Sequence, residues 1–160
     1  MQLQDTFLDI KYFKPDVSHI KKMQEVVEEE VDNGTILLRT EDEMANTIRS
    51  YTVVSVDGEI AGFTALHIHS ARLSEVRSLV VSQKFRGLKL GKELVNACIE
   101  EGKSLGLKQI LSLTYQKGFF ENLGFIEIEK ENIPEHKIWA DCIRCKHFPI
   151  CDEIAMVYDL

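Results

Sequence analysis

Long apolar runs are absent from this chain of 160 residues; the longest, residues 154–158, is five residues. A membrane-crossing helix needs about 20, so none is expected. The first ten residues have neither a basic start nor an apolar stretch, so no secretory signal pattern is present. Positive charge is also short. Lys and Arg number 19 against 26 Asp and Glu, a net charge of −7. That balance argues against broad binding to nucleic acid or an acidic membrane, because phosphate contacts need surplus positive charge. It leaves room for a small basic pocket. Proline is scarce, at three residues, and no Pro/Gly/Ser-rich linker or internal repeat divides the chain. The expectation is one domain spanning residues 1–160, in the cytoplasm. There Cys98, Cys142, Cys145 and Cys151 read as thiols or metal ligands rather than disulfides.

What is present alternates between the helix period and the strand period, the mark of mixed α and β structure. Residues 8–14 read as a strand. Ile20, Met23, Val27 and Val31 recur at helical spacing, with Asp16 as N-cap and Asn33-Gly34 as stop. Thr40 and Glu43 form a capping-box pattern for a second helix, with Met44, Ala45 and Ile48 inward. Residues 51–56, Asp57-Gly58 and 59–69 read as a β-hairpin, since Asp-Gly accepts the positive φ angles of a tight turn. Residues 76–81 form a strand. A long helix follows, with Leu94, Val95, Cys98, Ile99 and Leu105 on one face and Gly106 as its stop. Strands at 109–113, 125–128 and 154–158 and a short helix at 119–123 complete the reading. Residues 132–152 are irregular.

One segment stands apart in charge. Between Ser82 and Lys92 lie Lys84, Arg86, Lys89 and Lys92 with no acid, which leaves 15 basic against 26 acidic residues elsewhere. This basic island sits at a helix start and holds Gly87 and Gly91. Helix N-terminal N–H groups and glycines let an anion approach the backbone. On spacing alone, an anion site and a solvated basic loop fit equally well.

Three segments carry a resemblance: Glu75-Val-Arg-Ser-Leu-Val-Val81, Arg86-Gly-Leu-Lys-Leu-Gly91 and Phe119-Phe-Glu-Asn-Leu-Gly-Phe125. Together they resemble the GNAT N-acetyltransferase superfamily. The resemblance implies a mixed, largely antiparallel sheet of about six or seven strands. Helices would cover both faces, and a splayed-strand cleft would take acetyl-CoA. The family loop pattern is Gln/Arg-x-x-Gly-x-Gly/Ala; Arg86 and Gly91 match it, and Lys89 stands where the first glycine is usual. Further segments resemble the short N-acetylglutamate synthases of bacterial arginine biosynthesis. They are Gly34-Thr-Ile-Leu-Leu-Arg-Thr40, Ala65-Leu-His67, Leu113-Thr-Tyr115, Lys137-Ile-Trp-Ala-Asp-Cys-Ile-Arg-Cys145 and Cys151-Asp-Glu-Ile-Ala-Met156. The longer enzymes of that name carry an arginine-sensing kinase-like domain, for which 160 residues leave no room.

The resemblance also implies roles. Backbone at Leu79, Val80 and Val81 would hold the pantetheine arm. Arg86, Gly87, Leu88, Lys89, Leu90, Gly91 and Lys92 would hold the pyrophosphate, with Phe119 and Phe120 beside the arm. Glu75 would be the general base, with a pKa raised by half-burial under the cofactor; a strand-edge glutamate paired with Arg77 or Arg72 is the plainer alternative. Phe120 stands where many members place an acidic tyrosine, so Tyr115 is the substitute acid or else a packed aromatic. Arg39 and Arg77 would bind the two carboxylates of glutamate, since a guanidinium fork makes bidentate hydrogen bonds. His67 is a third acceptor-binding candidate.

The remaining features stay open at this point. Cys142, Cys145, Cys151 and His147 fit either a zinc clip or packed thiols, and no metal is expected at the catalytic site. Cys98 reads as core. The expected partner is a small-molecule substrate, without nucleic acid or membrane; a homodimer stays open. Two other functions compete. One is the same transfer to another amine, such as a protein N-terminus, a lysine or a polyamine. The other is a noncatalytic acetyl-CoA-binding or thiol-sensing module.

Overall fold

Asp57 and Gly58 both take positive φ, 51° and 85°, and join the strands β2 (Tyr51–Val56) and β3 (Glu59–Ile68) in the hairpin that their sequence predicts. They belong to a computed structural model that describes residues 8–32, 39–133 and 153–160. The other strands are β1 (Ile10–Phe13), β4 (Leu73–Val81), β5 (Gln109–Thr114), β6 (Ile126–Ile128) and β7 (Ile154–Asp159). The helices are α1 (Ile20–Asp32), α2 (Glu41–Asn46), α3 (Leu90–Ser104) and α4 (Lys117–Asn122). The seven strands form one sheet in the order β1-β2-β3-β4-β5-β7-β6. Every neighbouring pair is antiparallel except β4 and β5, which run parallel. The expected α/β architecture is therefore the one found.

Successive strand residues face opposite sides, and each side has its own helices. Ile20 and Met23 of α1 and Met44 of α2 bury against Tyr51, Val53, Phe63 and Ala65. On the other side, Val95, Cys98 and Ile99 of α3 bury against Leu66, Val76 and Ile110, while Leu94 covers Val54 and Val56. A fully buried side chain of this size stabilises by roughly 1.5–3 kcal/mol. No helix among the described residues is long and apolar enough to cross a membrane.

The helix starts follow local chemistry. The Thr40 hydroxyl accepts from the Glu43 N–H at 3.1 Å, and the Glu43 carboxylate accepts from the Thr40 N–H at 2.8 Å. Asp16 caps a short 3-10 turn, Val17–His19, which leads into α1, rather than capping α1 itself. Other expectations need adjusting. β4 begins at Leu73, three residues earlier than its apolar end implied, because Leu73 and Ser74 pair with β5. Leu105 is 55% exposed, not inward: it follows the last turn of α3, where the chain bends toward Gly106 at φ 81°. The proposed stop at Asn33-Gly34 lies outside the described residues.

Two irregularities in β4 shape the site. Its pairing with β5 covers only Leu73, Ser74 and Glu75, opposite Gln109, Ile110 and Leu111. Beyond Glu75 the two strands run on unpaired with each other, so the sheet opens between them. On the other edge, the register of β4 against β3 shifts between Phe63 and Ala65, and Ser78 takes φ 54°. This is a bulge: the extra residue bends the strand and turns its side chains. The Thr64 hydroxyl donates to the Arg77 carbonyl at 3.0 Å and braces it.

Candidate active site

The basic island forms the turn between β4 and α3. Gln83–Phe85 make a 3-10 turn, Gly87 takes φ 96°, and α3 starts at Leu90. Lys89 is the residue before that start and holds φ 62°, the left-handed region that favours glycine. The residue therefore departs from the family pattern while its backbone takes a conformation that glycine adopts readily. The Arg86 Nε donates to the Val81 carbonyl at 3.2 Å, tying the loop to the end of β4. The Lys84 ammonium is tied to Glu59 at 2.9 Å. Arg86, Gly87, Leu88, Lys89 and Lys92 are exposed, whereas Leu90 is buried beneath the helix.

A second feature lies on the α1–α2 side of the sheet. A cavity of about 230 Å³ is lined by Arg39, Glu43, Asn46, Thr47, Ser50, Tyr51, Ala65, His67, Arg77 and Ser78. The structure thus brings Arg39, His67 and Arg77 into one pocket, although they come from three separate stretches of the chain. Arg39 precedes the Thr40 cap of α2, and its carbonyl accepts from the Gln24 amide of α1 at 3.4 Å. Arg77 adjoins the bulge residue Ser78. The sequence reading missed the wall made by α2 and the start of β2. Tyr51 is its notable member: burial pushes its hydroxyl pKa up, with Arg39 and Arg77 opposing, so it stays a donor. A polar-lined helix end leading into a strand was the signal available.

Glu75 differs most from expectation. Its residue is 6% exposed within the protein itself, so no ligand is needed to bury it. Its Oε1 lies 2.8 Å from His69 Nε2 and accepts from Arg77 Nε at 3.0 Å. Burial alone would raise its pKa, but the His69 hydrogen bond and the Arg77 charge outweigh it and hold the carboxyl below its usual value of 4.5. The expected upward shift is corrected: two cationic or donor groups reach the same oxygen. Of the two partners named from sequence, Arg77 is the one found. His69 was not anticipated.

Tyr115 is 44% exposed immediately after β5, and Phe120 is buried in the core beside Phe125. Phe119 is half-buried and packs edge-on against Phe120. Cys98 is buried, and its thiol is pushed up to about 12 by burial, which makes it an unreactive core residue. Cys142, Cys145, His147 and Cys151 lie outside the described residues.

The opening beside β4 and the loop after it fit acetyl-CoA on their own chemistry. The loop concentrates positive charge and two left-handed backbone positions. The nearest atoms that a Cβ placed at Gly91 would meet belong to the Phe119 and Val81 side chains, at an ordinary 3.7 Å, so the protein's own packing does not demand glycine there. A backbone kept bare without an internal reason suits close approach by a ligand.

Comparison with known proteins agrees. The acetyltransferase (GNAT) family pattern matches residues 15–125. An uncharacterized N-acetyltransferase of Chlorobaculum tepidum is 37% identical over 127 residues, covering 79% of this chain and 81% of its own. The amino-acid acetyltransferase of Aeromonas salmonicida is 26% identical over 64% of this chain, which spans only 24% of that longer protein. Among solved structures, N-acetylglutamate synthase from Neisseria gonorrhoeae, complexed with coenzyme A and N-acetyl-glutamate, superposes with a TM-score of 0.82. It is 20% identical over 96% of this chain and 35% of that one. With the matched segment spanning the opened sheet and its basic loop, the chain belongs to the GNAT acetyltransferase family, whose members use acetyl-CoA.

Proposed function

We propose that this acetyltransferase acts on the α-amine of L-glutamate. One observation carries the reading: Arg39 and Arg77 line a single pocket beside the bulge of β4. Two guanidinium forks suit an acceptor with two carboxylates. Tyr51, Asn46 and Ser50 add neutral hydrogen-bonding groups to the same wall. The amino-acid acetyltransferases among the relatives support this choice of acceptor.

Acetyl-CoA supplies the acetyl group as a thioester. The chain's part is to bind and aim. Backbone at Leu79, Val80 and Val81, where β4 no longer pairs with β5, is assigned to the pantetheine arm. The loop from Arg86 to Lys92 is assigned to the pyrophosphate. Holding both reactants in one geometry removes much of the entropic barrier. A backbone N–H on the opened strand can stabilise the developing oxyanion. The amine sheds a proton as it attacks, and the His67 imidazole, which lines the same pocket, is assigned to receive it. Tyr115 follows the strand across the opening and is the candidate acid for the departing sulfur, since Phe120 has no proton to give. A thiol of pKa about 8.5 can also leave without one.

A cationic acceptor is the second reading, and Glu43 favours it. That carboxylate lines the same pocket as the arginines, in a chain of net charge −7. Arg39→Ala separates the two. The glutamate reading predicts a glutamate KM raised about tenfold or more, with the acetyl-CoA KM little changed. Equal change in both would remove Arg39 from acceptor binding.

A further inference from the structure

We propose that Glu75 and His69 are positioning residues that hold Arg77 and His67 against the acceptor, and that Glu75 does not take the amine's proton. This rests on the acceptor reading above.

Glu75 and Arg77 are two apart on β4 and project from the same face. Across β3, His67 pairs with Glu75 and Ala65 with Arg77, so all four share that face. Arg77 and His67 line the pocket; Glu75 is not among the lining residues and stands behind them. A carboxylate accepts only, so the His69 Nε2 that lies 2.8 Å away carries the proton. The same oxygen accepts the Arg77 Nε–H at 3.0 Å. The side chains of His69 and Glu75 are 2% and 8% exposed, so the bond between them is shielded from water.

The clamp is itself anchored. The His69 N–H donates to the Leu73 carbonyl at 2.9 Å, which fixes His69 at the turn between β3 and β4. The His69 ring also meets the His67 ring edge-on at 4.7 Å between centroids. One buried histidine therefore backs two pocket residues: Arg77 through Glu75, and His67 by direct contact. The bond from Arg77 uses Nε, which sets the plane of the guanidinium. That plane decides whether its fork meets a carboxylate squarely. A general base needs the opposite setting, an accessible carboxylate with a basic oxygen.

The test compares wild type with Glu75→Gln, His69→Leu and His69→Gln in steady-state kinetics across pH. Circular dichroism confirms folding. For Glu75→Gln the expected result is an acceptor KM raised about tenfold. The acetyl-CoA KM stays within about twofold. The rise of rate with pH keeps its wild-type shape. His69→Leu moves the acceptor KM the same way, and His69→Gln, which keeps one donor, moves it less. If Glu75→Gln does not fold, the two His69 variants carry the comparison. A collapse of kcat with the pH dependence lost and the acceptor KM unchanged would overturn the proposal and restore Glu75 as base. Equal acceptor KM values for His69→Leu and wild type would overturn it too. A wild type that prefers a cationic amine, or acetylates none, defeats the glutamate reading itself, which the wild-type data show before any variant is compared.

Discussion

Glu75 and Leu111 form the last rung between β4 and β5. Up to that pair the two strands lie as parallel neighbours; past it each goes its own way, and the sheet opens. The residue at the fork is also the one whose carboxylate holds His69 and Arg77. The point where the opening begins and the point where a lining residue of the pocket is braced are thus one residue.

That arrangement has a cost in acid. The folded-state pKa of Glu75 lies below its usual value of 4.5. A depressed carboxyl stabilises the fold fully above the unfolded value, and the contribution fades as pH falls through the folded one. Denaturant unfolding of wild type should therefore lose stability below about pH 4.5 more steeply than Glu75→Gln does. Parallel curves for the two would show that Glu75 is not held in its charged form by its neighbours.

Lys89 holds a conformation that glycine takes at little cost. Left-handed backbone costs a residue with a Cβ roughly 1–2 kcal/mol, part of which glycine gives back as unfolded-chain entropy. Lys89→Gly should then gain up to about 1 kcal/mol in stability while raising the acetyl-CoA KM. The two effects are separable by thermal melting and kinetics. An unchanged KM would mean that the lysine serves no anion.

Gly62 and Gly91 should respond differently to alanine. A Cβ on Gly62 would stand 2.4 Å from the Val80 carbonyl oxygen and 3.1 Å from the Val81 Cα, both backbone atoms. Gly62→Ala should cost about 1–3 kcal/mol and disturb the strand assigned to the cofactor arm. Gly91→Ala meets its nearest neighbours, two side chains, at 3.7 Å, so it should keep wild-type stability and lose acetyl-CoA affinity. Gly91→Ala with normal affinity would remove the loop from the pyrophosphate site.

Much of the fold was legible because it rests on local rules. The Asp57-Gly58 turn, the Thr40–Glu43 box and the inward face of α3 from Leu94 to Ile99 all follow from chemistry within a few residues. The bulge at Ser78 was not legible. Serine has no preference for φ 54°, and only pairing with β3 and bracing by Thr64 impose it. His69 was missed for the same reason: its partner Glu75 lies on the next strand, and spacing along the chain does not show which histidine turns inward. Leu105 failed because a helical face continues in sequence after the helix has ended. Arg39, His67 and Arg77 came from family-like segments; their shared cavity needed the packing of α2 on β2 and β3 to appear.

The central claim is acetyl transfer to glutamate. Its most direct test is free-thiol release from acetyl-CoA with L-glutamate, L-glutamine, L-aspartate, spermidine and a lysine-rich peptide, each at matched concentration. Release with glutamate should stand well above that with glutamine, spermidine or the peptide, because two arginines in one pocket favour an acceptor with two carboxylates. Faster release with spermidine or the peptide would contradict it, and would make Glu43 rather than Arg39 and Arg77 the residue that selects the acceptor.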